Sequence, residues 1–229
     1  MTVWLATGNI HKKKELAKIL SDAILSKTDT VDLKIPADAG LAFDPEESGS
    51  TFLENALIKA KELYRLLGNG QPVIADDSGI CVDALGGRPG IYSARYTGAV
   101  PDGLSGALTD AERNALLLAE LGNSPLRSAR FVCAMVLYRG ADHFFTVQET
   151  MEGELVLNAE SARGAGGFGY DPILYIPELE CTVAELSDEE KNRLSHRGKA
   201  GRVISRVLSG LDQNVPEMNK QILSGTILK

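Results

Sequence analysis

Two neighbouring carboxylates, Asp76 and Asp77, are the first candidates for chemistry, because they follow an apolar run and precede Ser78 and Gly79. We predict a strand from Val73 that ends at this pair, where the chain enters a glycine-rich turn. Two carboxylates held close together repel each other unless a cation lies between them or one of them takes a proton. The pair therefore predicts a divalent metal site, although the same four residues also fit a plain turn.

A glycine turn near the start of the chain is a candidate phosphate site. Residues 3–6 form an apolar run, residues 7–9 read Thr-Gly-Asn, and a helix is predicted over residues 11–25. The start of a helix directs N–H groups and partial positive charge at such a turn, and the lysines at 12–14 add side-chain charge. We therefore expect this turn to bind an anion. It is not a Walker loop, because the Gly-x-x-x-x-Gly-Lys spacing is absent.

The segment 164–172 combines several glycines with Phe168 and Tyr170. Glycines let a flat ligand approach the backbone and stack on an aromatic ring, which suits a nucleobase. A formal Gly-x-Gly-x-x-Gly match occurs here, but a strand is predicted after it, at 173–176, where a dinucleotide fingerprint needs a helix. We therefore expect a base-stacking loop and not a dinucleotide site.

A cationic centre is predicted further along the chain, where Lys191, His196 and Arg197 lie near the start of a helix. Such a group suits a carbonyl or phosphate oxygen of a ligand. For His196 taken alone, a capping or core position is an equally good interpretation.

The elements that position these groups follow from hydrophobic periodicity. A capping box at Thr51 and Glu54 begins a helix that we predict to reach Leu67, and we interpret Asn55 and Lys59, one turn apart, as part of its solvated side. Further helices are predicted over 109–122, from 187 and over 195–210, and strands over 30–35, 129–138, 144–151 with 154–157 as its extension, and 173–176.

Size and composition limit the possible domain organisation, partners and location of the protein. With 229 residues and 44% hydrophobic content, the chain can form one elaborate domain or two lobes that share a sheet. A net charge of −7 argues against a nucleic-acid polymer as partner, because phosphate backbones are bound by basic surfaces. Three widely spaced cysteines indicate reduced thiols, and no leader or membrane-spanning run is recognisable, so we expect a cytoplasmic protein without a membrane partner.

Five ordered blocks carry a resemblance to the inosine triphosphate pyrophosphatase family, which hydrolyses non-canonical purine nucleoside triphosphates. They span residues 3 to about 208, and blocks of this length in this order are highly specific. The blocks are Ala6-Thr-Gly-Asn-x-x-Lys12, Thr51-Phe-x-Glu-Asn-Ala56, Ala75-Asp-Asp-Ser-Gly79 with Leu85-Gly-Gly-x-Pro-Gly-Ile-Tyr-Ser-Ala-Arg-Tyr96, Gly167-Phe-Gly-Tyr-Asp-Pro172, and Lys191-x-x-x-Ser-His-Arg-Gly198.

The resemblance implies an α/β fold with a long central mixed β-sheet, flanked by helices in two lobes, and an active-site cleft between the lobes. Residues 1–211 would form this one domain, with 212–229 as a C-terminal tail. It also implies a homodimer and a Mg²⁺-dependent hydrolysis of ITP, dITP or XTP, which releases the nucleoside monophosphate and pyrophosphate. Such an activity would remove these nucleotides from the nucleotide pool.

The resemblance also implies roles for particular residues. Asp77 would be the catalytic base or a metal ligand, with Glu47 as the second acidic ligand of Mg²⁺, and Asp76 stays open as an alternative base. Arg197 and a protonated or suitably tautomeric His196 would offer donors to a 6-oxo purine. The implied substrate-binding residues are Thr7, Gly8, Asn9, Ile10, His11, Lys12, Ser78, Phe168, Gly169, Tyr170, Asp171, Lys191, His196 and Arg197.

Two other functions remain open at this point. One is a pyrophosphatase that removes modified pyrimidine triphosphates. The other is a nucleotide-binding regulator without catalysis, which is disfavoured because the acidic pair, the lysines and the His196-Arg197 pair are all present.

Overall fold

The computed structural model describes residues 1–23, 31–98 and 108–213. A seven-stranded sheet in the order β2-β1-β3-β4-β5-β6-β7 runs through it. Strand β1 is parallel to β2 and β3, whereas every other neighbouring pair is antiparallel, so the predicted mixed sheet is confirmed. The strands are β1 (Thr2–Leu5), β2 (Asp32–Lys34), β3 (Val73–Val82), β4 (Ser128–Tyr138), β5 (Phe144–Leu155), β6 (Leu174–Ile176) and β7 (Cys181–Thr182).

The helices begin where the sequence predicts them. Capping boxes start α2, α3 and α4 at Thr51, Thr109 and Ser187, and each removes unpaired N–H groups that would otherwise weaken the helix start. The predicted stop at Gly210 is wrong, because α5 continues to Gln213; one glycine inside a helix costs only about 1 kcal/mol. The helices are α1 (Ile10–Ala23), α2 (Phe52–Leu67), α3 (Asp110–Leu121), α4 (Asp188–Leu194) and α5 (His196–Gln213).

The predicted end of β3 at the acidic pair is also wrong. The strand continues through Asp76 and Asp77 to Val82, because β4 pairs with it along its whole length. Side chains of a strand alternate between its two faces. Asp76 and Asp77 therefore point to opposite sides of the sheet, and the repulsion expected of two adjacent carboxylates does not set their surroundings.

Helices cover both faces of the central strands. Leu16 of α1 and Ile204 of α5 pack with Ile74 of β3 on one face, and α2 packs Ala60 against Ala75 on the other. Helix α3 joins a separate cluster with Ile80, towards the end of β3. This layering places α1 and α5 beside Asp76 and places α2 beside Asp77.

Two regional predictions concern parts of the chain that the structure only partly covers. The division into one domain of residues 1–211 in two lobes stays a prediction. The boundary at 212 falls inside α5, and residues 214–229 of the predicted tail lie outside the described residues. None of the helices in the described part of the chain is long and apolar enough to cross a membrane.

Candidate active site

The site forms where β1 ends and β3 continues. Strand β1 pairs with β3 only at Val73 and Ile74, and the chain then turns through residues 7–9 into α1. The Asn9 side chain accepts a hydrogen bond from the Lys12 N–H at 3.3 Å and so caps the helix. The short partner strand thus leaves room beside the middle of β3 for the turn and the start of α1, whose N–H groups and partial positive charge favour an anion.

One cavity of about 620 Å³ brings most of the predicted site residues together. Ile10 does not line it and is 62% exposed, and the side chain of His11 lies outside the described part of the structure. Asp76 lies beneath it, only 2% exposed. The predicted residues that line the cavity are Thr7, Gly8, Asn9, Lys12, Glu47, Asp77, Ser78, Phe168, Gly169, Tyr170, Asp171, Lys191, His196 and Arg197.

Asp77 is held by two residues of α2. Lys59 Nζ lies 3.3 Å from Asp77 Oδ1 and 2.8 Å from Glu47 Oε1, and Asn55 Nδ2 donates to Asp77 Oδ2 at 3.2 Å. Burial raises the pKa of Asp77 above its ordinary value, because it outweighs the attraction of Lys59. A carboxylate that lines a cavity and has a raised pKa is a suitable proton acceptor.

The pKa of Asp76 is shifted in the opposite direction from that of Asp77. Its Oδ2 lies 2.9 Å from Lys12 Nζ and 3.3 Å from Arg197 Nε. Burial alone would raise its pKa, but Lys12 and Arg197 hold that pKa well below the ordinary value of an aspartate. A buried, doubly paired carboxylate is a poor base, so the electrostatics favour Asp77 over Asp76 for that role.

Glu15 of α1 connects two cations of the site, Arg197 and Lys191. Its carboxylate lies 2.7 Å from Arg197 Nη1 and 3.0 Å from Lys191 Nζ, and Asp171 Oδ2 lies 2.8 Å from the same Lys191 atom. Arg197 also donates to the Ser78 hydroxyl at 2.8 Å. These contacts link α1, which follows the glycine turn, to Lys191 and Arg197, the two cations that the resemblance places at the base.

The Phe168 ring lies over both cations. Lys191 Nζ is 4.8 Å and the Arg197 guanidinium carbon 5.6 Å from its centroid. The neighbouring His196 is buried and stacks on Phe131 at 4.9 Å between centroids, and among the residues that the structure describes its Nδ1 has no hydrogen-bond partner. Burial, together with the charges of Arg197 and Lys191, lowers the pKa of His196 well below its ordinary value, which favours a neutral tautomer over the protonated form.

Sequence reasoning missed several residues of the site. Asn55 and Lys59 were placed on a solvated helix face, but Asn55 is fully buried and Lys59 is 8% exposed. Their acidic partner lies on β3, so helical periodicity alone could not reveal the contact, although a lysine and an asparagine one turn apart beside an apolar stripe were a signal. Glu15, Arg95 and Asp110 were missed because their partners Arg197, Glu47 and Gly169 lie on distant segments of the chain.

Carboxylates that could hold a metal form a pair and not a larger cluster. Within residues 1–23, 31–98 and 108–213 there is no group of three or more His, Cys, Asp or Glu side chains placed to bind an ion. Glu47 and Asp77 nevertheless both line the cavity, and oxygens of both converge on the Lys59 ammonium group. Mg²⁺ is commonly held by one or two carboxylates together with phosphate oxygens and water, so this donor set fits it.

Together, the fold and the cavity define an α/β protein with a crevice suited to phosphorylated ligands, in which a helix start and lysines face two carboxylates. The chain belongs to the Ham1 family, whose model matches residues 3–206. The resemblance found in the sequence is thus confirmed.

Relatives of similar length support this membership. A protein of Treponema denticola named dITP/XTP pyrophosphatase is 46% identical over 92% of this chain and 100% of its own length. One of the same name from Thermus thermophilus is 46% identical over 89% of this chain and 90% of its own length.

Solved structures resemble this protein as well. The Ham1 protein of Coxiella burnetii has a TM-score of 0.77 at 36% identity, and that of Staphylococcus aureus has 0.76 at 35%. Each comparison covers 92% of this chain and 99% of the other chain.

Proposed function

We propose that this protein is a nucleoside triphosphate pyrophosphatase that hydrolyses dITP, XTP and ITP to the monophosphate and pyrophosphate. The observation that carries the proposal is the shared cavity, which joins Lys12 of the glycine turn, the Glu47 and Asp77 carboxylates, and Phe168 beside its cations. Relatives that match over nearly the whole chain bear the name dITP/XTP pyrophosphatase. A role in removing damaged nucleotides from the pool follows from such an activity.

The phosphates would lie against the turn at residues 7–9 and the first residues of α1, up to Lys12. There the start of α1 offers N–H groups, and Lys12 supplies a charge close to the cavity. Lys12 Nζ contacts Asp76 at 2.9 Å, so its position is set from below by a buried carboxylate. The turn can thus hold the triphosphate in one orientation, which is the largest part of what phosphoryl-transfer enzymes require of a protein.

Asp77 would accept the proton of the attacking water. It lines the cavity, its pKa is raised by burial, and Lys59 and Asn55 fix both of its oxygens. Glu47 and Asp77 would hold Mg²⁺ together with the substrate. When bound, this ion neutralises charge on the phosphate oxygens and lowers the pKa of water.

Base selection would depend on Phe168 and the residues around it. A purine can stack on the ring, and hypoxanthine or xanthine presents a 6-oxo acceptor where adenine has an amino donor. Donors at that position would leave an adenine amino group without an acceptor; the Arg197 guanidinium has only donors, and the neutral His196 would act in the same way when its N–H faces the base. A mismatch of this kind costs on the order of several kcal/mol.

A single assay tests the proposal. Pyrophosphate and phosphate release are measured with ITP, dITP, XTP, ATP, GTP, dUTP and methylated pyrimidine triphosphates, each with and without Mg²⁺. We expect pyrophosphate from ITP, dITP and XTP only in the presence of Mg²⁺, and much less from ATP and GTP. Preference for the pyrimidines would favour the alternative pyrophosphatase, and tight binding without turnover would favour a regulator. Sedimentation of the same sample tests the proposed homodimer.

A further inference from the structure

Helix α3 makes hydrogen bonds to both backbone polar groups of Gly169, in the predicted base-stacking loop of residues 164–172. The Gly169 N–H donates to Asp110 Oδ2 at 2.6 Å, and the Gly169 carbonyl accepts from Asn114 Nδ2 at 3.1 Å. Asp110 and Asn114 are four residues apart, so they lie on the same side of α3. Both contacts join segments more than 50 positions apart in the sequence.

The conformation of the loop makes Gly169 a sensitive point. Gly167 and Gly169 both have positive φ, 72° and 63°, and they flank Phe168. Because glycine adopts both signs of φ readily, the residues on either side of Phe168 do not by themselves select one direction for its ring. Contacts from outside the loop must make that selection.

Packing does not fill the space behind the loop. A second cavity of about 300 Å³ lies between α3 and the loop and is lined by Asp110, Asn114, Phe168 and Gly169 among others. Asn114 is only 7% exposed, and its bond to Gly169 is partly buried. On the other side of Phe168, its N–H donates to Asp171 Oδ2 at 2.8 Å. These hydrogen bonds, together with the two cations that lie against the ring, therefore set the position of Phe168.

We propose that Asp110 and Asn114 are positioning residues for base recognition. They fix the Gly169 peptide, and the fixed peptide keeps the Phe168 ring on the wall of the main cavity, over Lys191 and Arg197. This inference rests on the proposed function, because it concerns the site for the base. It also gives Gly169 a structural role, since α3 engages both of its polar backbone atoms.

Four variants test the proposal against a purely structural role of α3. Asp110→Ala and Asn114→Leu each remove one bond to Gly169, and Asp110→Asn keeps an acceptor oxygen. Thr109→Ala is the matched control, because it removes the cap of the same helix but no contact to Gly169. The readouts are KM and kcat for ITP, and inhibition by inorganic tripolyphosphate, which has no base.

We expect Asp110→Ala and Asn114→Leu to raise KM for ITP about tenfold, as the loss of one partly buried hydrogen bond to the Gly169 peptide implies, with kcat within about twofold. Asp110→Asn should stay close to the wild type, and inhibition by tripolyphosphate should not change. Thr109→Ala should lower the melting temperature and leave KM as it is. If Asp110→Ala acted only by destabilising α3, Thr109→Ala would raise KM for ITP in the same way.

Failure of this inference is distinguishable from failure of the proposed function. A wild-type protein that neither hydrolyses nor binds ITP refutes the proposed function and the inference with it. Normal wild-type turnover with unchanged KM in Asp110→Ala and Asn114→Leu refutes the inference alone, and so does an equal weakening of tripolyphosphate inhibition. If Asn114→Leu does not fold, the pair Asp110→Ala and Asp110→Asn still decides.

Discussion

Asp76 and Asp77 are adjacent in the chain yet belong to two different electrostatic environments. The first is buried under Lys12 and Arg197 with a lowered pKa, and the second lines the cavity beside Lys59 with a raised pKa. The alternation of side chains along β3 separates them. One sequence motif therefore supplies an anchor for cations on one face and a candidate base on the other.

The first prediction follows from this separation. Asp77→Asn should abolish turnover of ITP but leave substrate binding detectable, because Asn fills the same space and cannot accept the proton of water. The raised pKa means that the folded protein disfavours the ionised Asp77, so the neutral Asn should not lower the free energy of unfolding. Pyrophosphate release, calorimetric binding and urea denaturation measure the three effects.

Asp76→Asn is the matched comparison and should behave differently. It removes the carboxylate that pairs with two buried cations, and breaking such a buried pair costs about 3 kcal/mol or more. Unchanged stability of Asp76→Asn would contradict the assignment of Asp76 as an anchor. Unchanged turnover of Asp77→Asn would remove Asp77 from the mechanism.

The second prediction concerns the cation that joins Asp77 to Glu47. Lys59→Gln leaves both carboxylates without this partner, and since the Lys59 side chain is only 10% exposed, we expect about 3 kcal/mol of lost stability. Lys61→Gln, an exposed position on the same helix, should change stability by less than about 0.5 kcal/mol. Equal urea midpoints for the two variants would show that the Lys59 contacts contribute nothing.

The third prediction tests the proposed metal ligand. Glu47→Gln should raise the Mg²⁺ concentration needed for half-maximal activity by at least about tenfold, because an amide is a weaker ligand than a carboxylate. Glu46→Gln changes the neighbouring exposed glutamate in the same way and is the control. Titration of Mg²⁺ at saturating ITP separates the two, and a shift shared by both variants would indicate a general effect of charge.

Much of the framework could be predicted from the sequence because local signals define it. The capping boxes at Thr51, Thr109 and Ser187 mark three helix starts, and the family blocks place the residues of the cavity in order. What could not be predicted depends on contacts between distant segments. The length of β3 is set by its pairing with β4, so Asp77 lies in mid-strand, where a turn was expected.

The dependence on contacts between distant segments also explains why the sequence did not reveal the partners of Asp77 and Arg197. Lys59 becomes a site residue only because α2 covers the face of β3 to which Asp77 points, and periodicity within α2 carries no information about that face. Glu15 is reached by Arg197 from a position 182 residues away. Asp110 and Asn114 likewise gain their importance from a loop that the chain forms much later.

The last prediction concerns pH. The pKa of His196 in the folded protein lies well below 6.5, because burial and the nearby charges of Arg197 and Lys191 oppose protonation. The unfolded chain therefore binds more protons below about pH 6.5, and stability must fall as the pH drops through that value, by about 1.4 kcal/mol per pH unit for one group. His196→Gln should remove this contribution, whereas His143→Gln, at an exposed hairpin position, should keep the wild-type pH dependence. Urea denaturation at pH 7.5 and 5.5 measures it, and identical pH dependence of wild type and His196→Gln would show that His196 takes up a proton as readily in the folded protein as in the unfolded chain.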